Sequence, residues 1–182
     1  MYPVTYLSIA VCVVLFFLIQ REQRYVRDTT ILSKYSLIPM QVKRGQWYRL
    51  FTYAFLHVQP GHLLMNMIAL YNLGTLMERL LGPGRYLIAL LFSIFGSGLF
   101  ITYREQKNTR TIGISGGIYG LLMVYFIFLW RFGLLQNPGI RSSVLRIVFI
   151  NLMISFMPGV SLNGHVGGSL AGILIGIIFT MF

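Results

Sequence analysis

Long apolar runs separated by short polar stretches dominate the sequence. A helix that spans a bilayer needs about 20 apolar residues, and six runs approach that length. They lie at about 3–19, 61–81, 85–103, 115–130, 143–157 and 165–182. The pattern therefore predicts an all-α, polytopic membrane protein, a six-transmembrane-helix bundle that forms one domain over residues 1–182.

Local signals modify this prediction at three of the runs. The first run has no basic stretch before it and no small-residue cleavage site after it, which predicts an anchor rather than a signal peptide. Gly82-Pro83-Gly84 ends the second run and predicts a helix stop and a tight turn. The fifth run is the weakest, because it contains Arg146 and Asn151 and ends at Pro158-Gly159. A helix there depends on snorkelling of Arg146 or on a tilted position buried in protein.

Residues 20–60 form a long first loop between the first two runs. The loop is too long for a tight connection and too rich in Tyr, Trp, Leu and Phe for a flexible linker, so we expect it to fold at the membrane interface. Its segment 47–53, with sequence WYRLFTY, is aromatic and basic. That composition predicts a position in the headgroup region, with Arg49 near lipid phosphates.

Composition and charge fit the same environment. Hydrophobic residues make up 56% of the 182, and only four residues are Asp or Glu. A net charge of +11 would suggest nucleic-acid binding in a soluble protein, but here the basic residues stand between apolar runs, where they meet anionic lipid headgroups. We therefore expect the lipid bilayer as a partner and no nucleic acid. One cysteine, Cys12, lies within an apolar run and cannot form an intrachain disulfide.

A serine framed by glycines stands where the fourth run begins. Four of the eight residues from Gly113 to Gly120 are glycines, and Ser115 lies among them. Glycine weakens a helix start, so the pattern indicates close backbone approach or unusual φ and ψ angles around Ser115. Catalysis would require such geometry. On this stretch alone, a helix-capping serine with glycines that pack against a neighbouring helix is the better explanation, and the evidence for catalysis lies elsewhere in the chain.

Alternation of six spans places the starts of the second, fourth and sixth helices at one membrane face. His62 begins the second helix, and Asn66 lies one turn later on the same side. Ser115 begins the fourth and His165 the sixth. Ionisable residues at membrane depth are costly and indicate a functional site. The sequence therefore predicts that these four side chains meet.

Such a cluster can perform acyl transfer. A histidine that accepts a hydrogen bond from Ser115 can remove its proton and make it a nucleophile, and His165 is the predicted base. Asn66, His62 and backbone N–H groups near Ser115 could stabilise an oxyanion. The four acidic residues lie in loops or at the far end of a helix, so we expect a dyad without a third carboxylate. They are Glu22, Asp28, Glu78 and Glu105.

Two other interpretations concern the same polar residues. Three histidines could bind zinc, but the sequence has no His-Glu-x-x-His pair and no nearby carboxylate to act as a base. A small transporter or channel could use buried histidines to carry protons or polar solutes, but it would not need a glycine-framed serine beside them. Taken singly, each histidine or asparagine could also simply tie two helices together.

The sequence resembles the rhomboid intramembrane serine proteases, in their minimal six-helix bacterial form, over nearly the whole chain. Residues 113–116 are similar to the family's Gly-x-Ser-Gly. The spacing of the residues on the second and last helices also resembles the family's signatures. Those residues are His57, His62 and Asn66 on or before the second helix, and His165, Gly168 and Gly172 on the last.

The resemblance implies a role for each position. Ser115 is the nucleophile, His165 the base, and His62 and Asn66 stabilise the oxyanion. Tyr119 packs against the base. The supporting positions are Gly113, Gly116, Tyr119, His57, Gly168 and Gly172. The resemblance implies no cofactor and no metal, and it leaves the oligomeric state open.

The resemblance also implies a substrate class, single-pass membrane proteins cut in or near the transmembrane segment. Residues that weaken a helix should favour entry of the substrate, because a hydrogen-bonded helix hides its carbonyl groups. A catalytically inactive, rhomboid-like chaperone is the alternative. Such proteins usually lack the serine or the histidine, whereas both are present here.

Charge and family disagree about orientation. The loops on the active face hold ten basic residues and the opposite face five, so the positive-inside rule places the active face in the cytoplasm. Bacterial rhomboids have the N-terminus inside and open outward. We follow the family and expect a bacterial inner-membrane protein whose active site opens to the extracytoplasmic side. The ten are Arg21, Arg24, Arg27, Lys34, Lys43, Arg44, Arg49, Arg104, Lys107 and Arg110, and the five are Arg79, Arg85, Arg131, Arg141 and Arg146.

Overall fold

A computed structural model describes residues 1–26, 29–157 and 159–181, and within these ranges the chain is all-α, without a β-strand. The α-helices are α1 (Pro3–Gln23), α2 (Thr30–Tyr35), α3 (Pro39–Lys43), α4 (Arg49–Thr52), α5 (Pro60–Ala69), α6 (Thr75–Arg104), α7 (Ser115–Arg131), α8 (Pro138–Ser155) and α9 (Leu162–Met181). A 3-10 turn, Tyr53–Phe55, follows α4, and a second one, Leu134–Gln136, precedes α8. A π-helical turn, Leu70–Gly74, joins α5 to α6.

The helices supply six apolar segments. Four stretches are long and apolar enough to cross a membrane, namely Pro3–Gln23, Pro60–Arg104, Pro138–Ser155 and Leu162–Met181, and α7 is a shorter apolar helix. Pro60–Arg104 has 45 residues, about twice the length that a 30 Å hydrocarbon core requires. It contains two segments and is divided at Gly82. The chain is an integral, multi-pass membrane protein.

Gly82 makes that division with a single residue. Its φ of 74° and ψ of 160° lie outside the helical region, in a part of backbone space that glycine enters most readily. A Cβ at Gly74 would come within 2.7 Å of the Tyr86 hydroxyl, although twelve residues of straight helix would span about 18 Å. The two halves therefore fold back and pack on each other.

Several helix ends differ from the predicted ones. The first helix continues to Gln23, so the first loop begins after that residue rather than at 20. The fifth span begins at Pro138 rather than 143, because the Asn137 side chain accepts hydrogen bonds from two backbone N–H groups at that point. The last span begins at Leu162, so His165 lies one turn inside the helix and not at its first residue. Arg27, Asp28, Pro158 of the predicted breaker and the predicted end at residue 182 lie outside the described residues.

The first loop is a folded unit, and the prediction that Arg49 lies near lipid phosphates is wrong. Arg49 is only 4% exposed. Its guanidinium donates to the carbonyl oxygens of Ser36 and Ser33 at 2.5 and 2.9 Å and to the Gln46 side chain at 2.6 Å. A buried cation needs such acceptors. Arg49 therefore ties the helices of the loop together from inside.

A carboxylate fastens α1 to the rest of the molecule. Glu78 of α6 is buried and accepts hydrogen bonds from the backbone N–H groups of Val4 and Thr5 and from the Thr5 hydroxyl, at 2.7 to 3.0 Å. The first N–H groups of a helix have no partner within it and favour negative charge. Glu78 thus supplies the cap that the sequence at the start of α1 does not.

Helices α6, α7 and α9 form the centre of the bundle, and glycines line their contacts. A Cβ added at Gly168 or Gly172 of α9 would collide with the backbone carbonyl oxygen of Gly116 or Gly120 of α7, respectively. In lipid, helices associate mainly by close packing of small residues, because apolar side chains gain little from leaving an apolar solvent. The two backbones are therefore in direct contact along the first two turns of α7.

Candidate active site

Ser115 is the first residue of α7, and Gly113, two residues before it, has a backbone conformation that residues with a side chain rarely adopt. Gly113 has a φ of 111°, in the region that favours glycine. Its N–H donates to the Tyr53 carbonyl at 3.0 Å, and a Cβ at this position would lie 2.6 Å from Cε1 of His62. Conformation and space both require glycine here. The loop consequently brings His62 beside the residues that lead to Ser115.

His165 reaches Ser115 from α9. Its Nε2 lies 3.0 Å from Ser115 Oγ, and the side chain is 3% exposed. A serine and a histidine at this distance can share a proton. The glycine contacts between α7 and α9 explain this approach. Gly116 is the residue after Ser115, and Gly168 lies one turn after His165, so the backbones touch beside the two reacting side chains.

The start of α9 is held by a capping network. The Ser161 hydroxyl donates to Glu105 Oε1 at 2.5 Å and accepts from the Gly164 N–H at 3.0 Å. His165 N–H donates to the Ser161 carbonyl at 3.2 Å. Glu105, at the end of α6, thereby fixes the turn that carries His165. Sequence reasoning placed Glu105 in a loop and did not find this contact.

Tyr119 and Ser155 surround the imidazole of His165. The Tyr119 ring stacks on it, with centroids 3.8 Å apart and planes inclined by 14°. The Ser155 hydroxyl, on α8, lies 2.8 Å from His165 Nδ1. Ser155 was missed by the sequence analysis. Asn151 and Ser155 are polar residues four apart in an apolar helix, and that spacing on one face was the available signal.

Asn66 is held by a histidine rather than by Ser115. Its Nδ2 lies 3.1 Å from His57 Nε2, and both side chains are buried. An amide NH₂ only donates, so His57 accepts through Nε2. Burial and the neighbouring His62 lower the pKa of His57 to about 4. His57 is therefore neutral near pH 7 and keeps the lone pair that orients the Asn66 amide.

In the part of the chain that the structure describes, no carboxylate is hydrogen-bonded to His165. No three His, Cys, Asp or Glu side chains among those residues are grouped as a metal site would require. The arrangement consists of a serine, a histidine that faces it, and two neutral hydroxyl side chains around that histidine. Such a set can activate an oxygen nucleophile by proton transfer.

Comparison with known proteins connects this geometry to a family. The model of the Rhomboid domain matches residues 44–182. The chain is 31% identical to "Rhomboid protease GluP" of Bacillus subtilis over 92% of its length, and 30% identical to "Putative rhomboid protease YdcA" of the same species over 98%. It is 36% identical over 75% of its length to "RHOMBOID-like protein 4" of Arabidopsis thaliana. The matched regions cover 89% of YdcA but only 33% of GluP and 35% of the plant protein.

The buried, neutral His57 predicts a pH dependence of stability. Its pKa falls from 6.5 to about 4 on folding, so between these values the unfolded chain takes up a proton that the native state excludes. Stability should therefore decrease as the pH falls from 6.5 to 4. Each pKa unit corresponds to about 1.4 kcal/mol, or roughly 3–6 °C in melting temperature for a chain of this size.

The comparison is wild type against His57→Gln, whose neutral amide can accept from Asn66 but does not titrate. We expect the melting temperature in detergent to drop between pH 6.5 and 4.5 by about 5 °C more in wild type than in the variant. Parallel curves for the two proteins would show that His57 does not stay neutral through burial.

Proposed function

We propose that this chain, which belongs to the rhomboid family, is a serine protease that hydrolyses peptide bonds in or near the transmembrane segments of membrane proteins. The observation that carries the proposal is the 3.0 Å distance between Ser115 Oγ and His165 Nε2. Family membership supports intramembrane serine protease chemistry in general. The roles of the individual residues are our assignment.

In the first half of the reaction, Ser115 Oγ attacks the carbonyl carbon of the scissile peptide bond. His165 Nε2 accepts the hydroxyl proton as the bond from Oγ to carbon forms. The tetrahedral intermediate collapses when the carbon–nitrogen bond breaks. The protonated imidazole then returns its proton to the leaving amine, and the acyl group remains on Ser115.

In the second half, water attacks the acyl carbon and gives one proton to His165. Collapse of the second tetrahedral intermediate breaks the ester bond and restores the Ser115 hydroxyl with that proton. The new carboxyl end leaves the site. No metal or redox cofactor takes part in this balance of atoms and charge.

Negative charge on the carbonyl oxygen needs donors in both halves. The first backbone N–H groups of α7 have no partner within the helix and lie at its positive end. The Asn66 amide has a second N–H beyond the one given to His57. His62, beside Gly113, is the remaining candidate. We assign these groups to the oxyanion, and the His57 contact keeps the Asn66 amide in place.

Single-pass membrane proteins are the proposed substrates. An intact transmembrane helix keeps its carbonyl groups in hydrogen bonds, so attack requires the segment to unwind locally. Glycine or proline near the cleavage site reduces the free-energy cost of unwinding by roughly 1 to 3 kcal/mol per residue. Substrates with such residues should therefore be cut preferentially.

The decisive test is covalent labelling by a fluorophosphonate, with the modified residue found by peptide mass spectrometry. We expect one adduct, on Ser115, and cleavage of a model membrane substrate. Ser115→Ala should abolish both, and His165→Ala should lower both by on the order of 10³-fold or more, because each removes a reacting group. Asn66→Ala should lower turnover on the order of 10²-fold.

Ser142→Ala is the matched control, since it deletes an exposed hydroxyl whose one hydrogen bond among the described residues is to a carbonyl in its own helix. It should behave as wild type. Absence of an adduct on wild-type Ser115, with folding intact, would contradict the protease and favour an inactive, rhomboid-like binding protein.

We also propose that the active face is extracytoplasmic and that both chain ends lie in the cytoplasm. The basic residues of the first loop are the main argument against this orientation. That loop is folded, and Arg49 inside it is bonded to carbonyl oxygens rather than free to meet lipid. Because the loop is folded, its basic residues are weaker evidence for a cytoplasmic active face than a simple count of Lys and Arg suggests.

Reporter fusions test the orientation. Alkaline phosphatase fused after Phe182 should be inactive and green fluorescent protein fluorescent, while phosphatase fused after Lys107, in the loop before Ser115, should be active. The reverse pattern would place the active face in the cytoplasm.

A further inference from the structure

We infer that Ser155 is a positioning residue for His165, a neutral third member of the site that selects the imidazole tautomer able to accept the Ser115 proton. This inference rests on the proposed function. Ser155 Oγ lies 2.8 Å from His165 Nδ1, on the side of the ring opposite the nitrogen that faces Ser115. In serine hydrolases that position belongs to the group that orients the base.

The direction of the hydrogen bond between Ser155 and His165 depends on the tautomer of His165. We assign the one proton of the Ser155 hydroxyl to the Asn151 carbonyl at 2.9 Å, an acceptor that cannot donate. Toward His165, Ser155 Oγ can then only accept. Nδ1 therefore carries the imidazole proton, and Nε2 of the neutral ring presents its lone pair to Ser115.

Tyr119 strengthens the same arrangement. Its hydroxyl donates to the Asn151 carbonyl at 2.5 Å and also lies 2.8 Å from Ser155 Oγ. The Tyr119 ring covers one face of the His165 imidazole. One side chain thus fixes the plane of the base while its hydroxyl contacts the residue that fixes the tautomer.

Burial sets Ser155 apart from its helix. All of α8 is described, and Ser155 is the one residue of that helix that is buried, with 5% exposure. An ordinary membrane serine needs only its own helix carbonyl as a partner. Ser155 has that bond, and the additional contact with His165 is directed into the site. This polar junction also joins the end of α8 to the bundle.

Nitrogen-15 spectra of the imidazole rings test the tautomer without any turnover. The chain has three histidines, and the signals that disappear in His165→Gln are those of His165. We expect His165 of wild type in the Nδ1-protonated form at pH 7.5. Ser155→Ala should shift a large share of it to the Nε2-protonated form, and Ser155→Thr, which keeps the hydroxyl, should restore the wild-type signal.

Kinetics provide the second measurement. Ser155→Ala should lower kcat about tenfold, the order expected for one hydrogen bond to a reacting group. KM should stay unchanged, because Ser155 is buried and its hydroxyl is directed at His165. Ser155→Thr should recover most of the rate. Ser142→Ala removes a hydroxyl from the same helix and should change neither kcat nor the spectrum.

The outcomes separate the inference from the proposed function. Inactive wild type with the expected tautomer shift would overturn the protease and leave the positioning role intact. A Ser155→Ala protein with an unchanged His165 spectrum would overturn the positioning role, whether its rate is normal or is lost together with its melting temperature.

Discussion

The backbone contact between α7 and α9 is the constraint on which the site depends. Glycines face each other at two successive turns, and a single methyl group at Gly168 or Gly172 would strike the carbonyl oxygen opposite. A helix pair with larger residues would stand farther apart by the thickness of a side chain. The 3.0 Å distance from Ser115 to His165 is available only because neither helix has a side chain at the contact. Small residues here serve both membrane packing and reaction geometry.

Around that contact, polar groups at helix ends fix what the glycines bring together. Glu105 and Ser161 hold the first turn of α9, and Ser155 and Tyr119 hold the imidazole. Each of these four side chains is hydrogen-bonded, as burial in lipid or protein requires. The base is consequently oriented by neutral hydroxyls, which set its tautomer without placing a second charge in the membrane.

Much of this architecture follows from the sequence, and the exceptions have physical reasons. The alternation of apolar runs placed Ser115, His165 and the start of α5 at one face, because successive spans reverse direction. Arg49 was assigned to the lipid headgroups from the aromatic and basic composition of its segment. A segment that lies in the headgroup region and one that is folded into the protein can share that composition, so composition alone does not distinguish them. Ser155 was missed because its partner is ten residues away across a loop, and only the packing of α8 shows the contact. The residue roles stay predictions.

The measurement that tests this dependence most directly is the rate at which a fluorophosphonate labels Ser115 in Gly168→Val. Gly84→Val is its matched control, since no atom of the residues that the structure describes lies within 4 Å of a Cβ at Gly84. Both proteins should retain helical circular dichroism. We expect labelling of Gly168→Val to be slower on the order of 10²-fold, because a shift of about 1 Å separates the reacting groups, and labelling of Gly84→Val to match wild type. Wild-type rates in folded Gly168→Val would contradict the central claim, since His165 would then reach Ser115 without the glycine contact.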